Sequence, residues 1–110
     1  MRRGTTPTHT FMLPFEVPEG SKVRIVYVQN DKIILEHTTE QCTVEGSDIK
    51  TRLTDKETLL FDSKLHFIAG RYQSYPVEIQ IGIKTPEGDK LWSHIILATV
   101  EKCLRKDGVI

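Results

Sequence analysis

A chain of 110 residues with 15 basic and 15 acidic side chains has room for one hydrophobic core. Its balanced charge offers no general attraction to nucleic acid or to an anionic membrane. No apolar run reaches the roughly 18 to 20 residues that a bilayer-crossing helix needs. Residues 1–7 carry Arg2 and Arg3 with no apolar segment behind them, which is not a secretory signal. The expectation is cytoplasmic synthesis and a single domain over 1–110, with residues 1–7 as a flexible lead-in.

Residues 8–13 alternate, with His9, Phe11 and Leu13 on one parity, and predict a first strand. Pro14 and Pro18 limit its length, because proline cannot donate to a ladder. Lys22–Gln29 predicts a second strand, with Val23, Ile25 and Tyr27 on one face and Arg24, Val26 and Val28 on the other. Asn30-Asp31 suits a tight turn, since both tolerate positive φ. Lys32–Thr38 then reads as the return strand, with Ile33, Leu35 and His37 in phase. Residues 41–45 and 48–53 flank Gly46-Ser47 as another short hairpin.

Thr54 followed by Glu57 matches a capping box and predicts one helical turn, after which Leu59, Leu60 and Phe61 tuck against the core. Residues 62–75 hold Leu65, Phe67, Ile68, Tyr72 and Tyr75 around Gly70, and read either as an irregular loop or as an extra short hairpin. Alternation is clearest next: Val77, Ile79, Ile81 and Ile83 on one parity, Glu78, Gln80, Gly82 and Lys84 on the other. In Thr85-Pro86-Glu87-Gly88-Asp89, Pro86 pre-sets φ and Gly88 takes the left-handed position of a turn with a bulge. Residues 91–100 form the apolar return strand. The sum is about seven strands joined mostly by hairpins, which predicts an all-β fold: a single antiparallel β-sandwich with one short helical turn.

The residues carry little chemistry. His9, His37, His66 and His94 fall on four different predicted elements, with neither an HxH pair nor an HExxH helix, so no metal site is predicted. Ser93 and His94 are neighbours on a strand and point to opposite faces. There is no GxSxG elbow and no glycine-rich phosphate loop, so neither an enzymatic activity nor a cofactor is predicted. Cys42 and Cys103 form no zinc-like cluster. They leave open a disulfide between sheets or two separate packed thiols, and a reducing compartment favours the thiols. Trp92, the one tryptophan, reads first as a packing residue and second as a sugar platform. Phe67, Ile68, Arg71, Tyr72 and Tyr75 are the candidate interaction surface, since Tyr and Arg are enriched at protein interfaces. The competing reading is a loop that covers an open end of a sheet.

The opening Arg2-Arg3-Gly4-Thr5-Thr6-Pro7-Thr8-His9-Thr10-Phe11 with Leu13-Pro14-Phe15 resembles that of small prophage-encoded proteins of Gram-positive bacteria. The likeness continues through Lys22–Gln29, residues 53–61, Val77-Glu78-Ile79-Gln80-Ile81 and Gly88-Asp89-Lys90-Leu91. These proteins are similar to the N-terminal immunoglobulin-like domain of phage baseplate upper proteins. The resemblance implies an immunoglobulin-like sandwich and a non-enzymatic structural protein of a phage or prophage particle, in its tail or baseplate. Its implied partners are other virion proteins or further copies of itself, with no nucleic acid, membrane or small-molecule substrate. Residues 64–75 depart from the pattern as an insertion. The alternative function is a small module that binds carbohydrate or a cell-surface ligand.

Overall fold

The computed structural model describes every residue, Met1–Ile110. In chain order its strands are β1 (Thr8–Met12), β2 (Lys22–Gln29), β3 (Lys32–Thr38), β4 (Cys42–Glu45) and β5 (Asp48–Arg52). They continue with β6 (His66–Ile68), β7 (Arg71–Gln73), β8 (Val77–Lys84), β9 (Lys90–Trp92) and β10 (Ile96–Ala98). A 3₁₀ turn, Thr39–Gln41, precedes β4, and the one-turn helix α1 (Asp55–Thr58) follows β5.

The two segments with the clearest alternation become the two longest strands and lie side by side. β2 and β8 pair antiparallel from Lys22 opposite Lys84 to Gln29 opposite Val77. β3 flanks β2, while β9 and β10 both flank β8, giving a five-stranded sheet. β1, β5 and β4 form a three-stranded sheet, and β6 and β7 pair only with each other. Every strand pairing is antiparallel, and the fold is all-β.

One apolar cluster joins the two larger sheets. Val23, Ile25, Tyr27, Val77, Ile79, Ile81 and Ile83 come from the five-stranded sheet, and Phe11 and Ile49 come from the three-stranded one. Leu13, Leu53, Phe61 and Val100 close it from connecting segments. Each fully buried aliphatic or aromatic side chain contributes about 1.5 to 3 kcal/mol relative to exposure, so this shared cluster is what holds the two sheets together.

Ten strands replace the expected seven because residues 62–75 form a self-paired hairpin and the return strand over residues 91–100 is split in two. A register shift elsewhere changes parity without breaking a strand. The pairing of β2 with β3 shifts between Tyr27 and Val28. An extra residue reverses side-chain parity, so Ile33 is exposed although Leu35 and His37 turn inward as predicted. A similar shift accompanies the split of the return strand over residues 91–100. Trp92 stands opposite Gly82, but Ile96 stands opposite Ile79, one residue out of register. Ser93 occupies the gap: its amide donates to the Ile81 carbonyl at 2.8 Å, and its Oγ accepts from the Ile81 amide at 3.0 Å.

The turns follow their residue types. Asn30 and Asp31 have φ of 51° and 60°, and Ala69 and Gly70 have 51° and 84°, the positive pair that a type I′ turn requires. The capping box forms as predicted: Thr54 Oγ1 accepts from the Glu57 amide at 3.1 Å, and Glu57 Oε1 accepts from the Thr54 amide at 2.8 Å. Of the three apolar residues after the helix, Phe61 is buried and Leu60 is exposed. Residues 1–7 are tied across the chain: the Gly4 amide donates to Thr58 Oγ1, and Arg3 Nη2 donates to the Leu59 carbonyl.

Candidate functional site

Residues 62–75 fold as a hairpin of β6 and β7, the second of the two readings of the sequence. The predicted interaction residues divide between its two sides. Phe67 and Tyr72 are opposite one another across the hairpin with ring centroids 5.2 Å apart, and are 67 % and 73 % exposed. Arg71 is exposed, whereas Ile68 and Tyr75 are half-buried. Tyr75 stacks on His66 with centroids 4.3 Å apart, and His66 Nε2 lies 3.0 Å from Asp62 Oδ2. The hydrogen bond that Asp62 Oδ1 accepts from the Lys64 amide, together with His66, holds the Asp62 carboxyl below its ordinary range.

The base of this hairpin is fastened by a side chain the sequence did not single out. Gln29 is 3 % exposed at the end of β2. Its Nε2 donates to the carbonyls of Asp62 (2.7 Å) and Tyr75 (3.0 Å), and its Oε1 accepts from the Asp62 amide at 2.7 Å. A buried amide that satisfies three backbone groups fixes both ends of the segment at one point. The aromatic tip therefore stands on a firm base.

A second cluster lies between β3, β5 and α1. His37 Nδ1 is 2.5 Å from Thr51 Oγ1, and His37 Nε2 is 2.7 Å from Glu57 Oε2. Hydroxyl, imidazole and carboxylate in series have the composition of a nucleophile triad. Both His37 and Thr51 are buried, however, and the Thr51 hydroxyl donates to the Gln41 carbonyl at 3.1 Å. The two grooves that border Trp92 do not include them. This arrangement connects the helix to the sheets, with the imidazole and the hydroxyl shielded from solvent. Beside it His9 Nδ1 meets the Tyr27 hydroxyl at 2.8 Å. Burial pushes the Tyr27 hydroxyl well up and His9 down.

The four histidines do not converge, and no three His, Cys, Asp or Glu side chains are placed to hold a metal ion. Cys42 and Cys103 are both free thiols, each half-buried. No helix is long and apolar enough to cross a membrane.

Trp92 packs on the outside of a sheet and not in the core. It stands on the outer face of the five-stranded sheet and is 56 % exposed. A Cβ built on Gly82 would meet its Cζ3, Cη2 and Cε3 atoms at 2.5, 2.7 and 2.8 Å. Such similar distances to three consecutive ring carbons mean that the six-membered ring lies face-down over the Gly82 backbone. Only glycine leaves room for it. Grooves of about 310 Å³ and 300 Å³ lie on either side of the ring. Sequence alternation shows that Trp92 is on a strand, but its face depends on pairing with Gly82.

Comparison with protein-family models, with curated proteins and with solved structures finds no match to this chain.

Proposed function

We propose that this chain is a non-enzymatic structural protein that acts through protein–protein contacts, as an immunoglobulin-like β-sandwich in the tail or baseplate of a phage or prophage particle. The particle setting rests on the sequence resemblance. Two sheets around one apolar cluster support the sandwich reading. The observation that carries the contact reading is the Phe67–Tyr72 pair, two large rings held in solvent on a hairpin whose base Gln29 clamps. Exposed aromatics on a pre-ordered support lose little conformational entropy on binding, the property that makes such residues interface anchors.

The test is made on particles purified from a lysed culture that carries the prophage. Mass spectrometry finds the unaltered chain in the particle fraction, and the Phe67→Ser/Tyr72→Ser variant, folded by circular dichroism, stays in the soluble fraction. Absence of the unaltered chain from particles overturns the structural role. Retention of the double variant in particles overturns the hairpin as the contact.

A further inference from the structure

The pairing register sets three lysines side by side on the outer face of the five-stranded sheet. Lys22 is opposite Lys84, and Lys84 is opposite Lys90, so the three cross β2, β8 and β9 in one row spanning roughly 10 Å. All three are exposed, and none has an acid within salt-bridge distance. Like charges directly opposite one another in a sheet oppose folding. The next row on the same face is Arg24, Gly82 and Trp92. These residues line the groove of about 310 Å³, and no acidic side chain lines it with them. Arg24 reaches away to Glu36, 3.0 Å from it.

The other groove beside Trp92 has a different character. Asp31, Glu78 and Gln80 line it, and Gln80 Nε2 is already bonded to the Ser93 carbonyl at 2.8 Å, which leaves its oxygen to accept. The face thus has an aromatic platform at its centre, cations on one side and hydroxyl acceptors on the other. A phosphate chain crossing it would be drawn to the lysines and repelled by Asp31 and Glu78. A sugar ring meets all three parts: its C–H face on the indole, a carboxylate or phosphate toward the lysine row, and hydroxyls toward Glu78 and Gln80.

We propose that the Trp92 face is a binding site for an acidic sugar, a saccharide that carries a carboxylate or phosphate group. It shares no residue with the Phe67–Tyr72 hairpin and does not depend on the contact role proposed for that hairpin. Trp92 is the one tryptophan of the chain, so intrinsic fluorescence reads the site directly. Titration uses a galacturonate oligomer, glucose 6-phosphate, a neutral galactose oligomer and a thymidylate oligomer.

The carboxylate or phosphate sugar changes the fluorescence saturably, and the neutral oligomer binds at least about tenfold more weakly. Lys84→Glu abolishes the response, and the milder Lys84→Gln, whose fold is checked by its thermal unfolding, weakens it. Which acidic sugar binds more tightly identifies the anionic group. Absence of a saturable change with either acidic sugar overturns the proposal, as does equal binding of the neutral oligomer. Tighter binding of the thymidylate oligomer overturns it in favour of a nucleic-acid surface.

Discussion

His37 Nε2 lies 2.7 Å from Glu57 Oε2, and this bond ties the one-turn helix to β3 beneath it. The other ring nitrogen faces Thr51 Oγ1, whose own proton goes to the Gln41 carbonyl. With that proton placed, Nδ1 is the donor to Thr51. Glu57 also caps its own helix through Oε1. One side chain thus holds a local element and a tertiary contact together.

That carboxylate contributes to the stability of the fold in acid. Burial raises the Glu57 carboxyl, but the hydrogen bonds from the Thr54 backbone and the His37 ring outweigh it and leave the group below its ordinary range. A carboxyl depressed in the folded state binds fewer protons there than in the unfolded chain. Its stabilisation is present above the unfolded value, about 4.3, and is lost as pH falls below it. Urea unfolding between pH 7 and pH 3 should show stability declining through the acid range. Glu57→Gln should cost about 1.5 to 3 kcal/mol at pH 7 and flatten that decline. An equally steep decline in the variant would place the acid sensitivity elsewhere.

Strand parity in β8 makes a paired prediction. Ile81 is buried in the shared cluster, whereas Gln80 is on the outer face. Ile81→Ala should cost about 2 to 5 kcal/mol through lost burial and the cavity left behind. Gln80→Ala removes one hydrogen bond to the Ser93 carbonyl and should cost about 1 kcal/mol. Chemical unfolding of both variants against the unaltered chain measures the difference. Similar losses at both sites would mean that the inward face of β8 is assigned incorrectly.

Legibility from the sequence followed the range of the interaction concerned. The alternation of Val77–Lys84, the Asn30-Asp31 turn and the Thr54–Glu57 capping box are set by near neighbours, and each forms where the residues place it. The bulge at Ser93 has no local signal, because Ser93 fills the ladder through the side chain it turns back to Ile81. That bulge decides where Trp92 and Ile96 point. The lysine row and the Trp92–Gly82 stack likewise arise from register between strands as far apart in sequence as Lys22 and Lys90. Residues 62–75 were ambiguous because Gln29, distant along the chain, supplies the bonds that organise them.

The thiols have a chemical signature of their own. Burial raises the Cys42 thiol above its ordinary range. Because the thiolate is the reactive form, Cys42 in the folded protein should react with Ellman's reagent more slowly than the same cysteine in urea at the same pH. Protein unfolded without reductant should titrate two thiols, matching the two free cysteines. Recovery of none, with a mass lower by two hydrogen atoms, would establish a disulfide and place the chain in an oxidising compartment.

The hairpin and its anchor should respond differently to mutation. Deleting residues 65–74 and bridging the gap with glycines removes Phe67 and Tyr72 but retains Asp62, Tyr75 and Gln29, whose three bonds close the segment. Exposed rings contribute little to burial, so the shortened chain should keep its β-sheet circular dichroism and unfold cooperatively near the original midpoint. Gln29→Ala leaves the whole hairpin in place but orphans two carbonyls and an amide at a buried position, where each unmet group costs about 1 to 3 kcal/mol. It should lower stability by about 3 kcal/mol or more and expose the base of the hairpin to proteolysis. The two variants together separate support from surface. If the deletion unfolds the chain while Gln29→Ala is tolerated, β6 and β7 belong to the core, and the Phe67–Tyr72 pair is the part of that core left facing solvent.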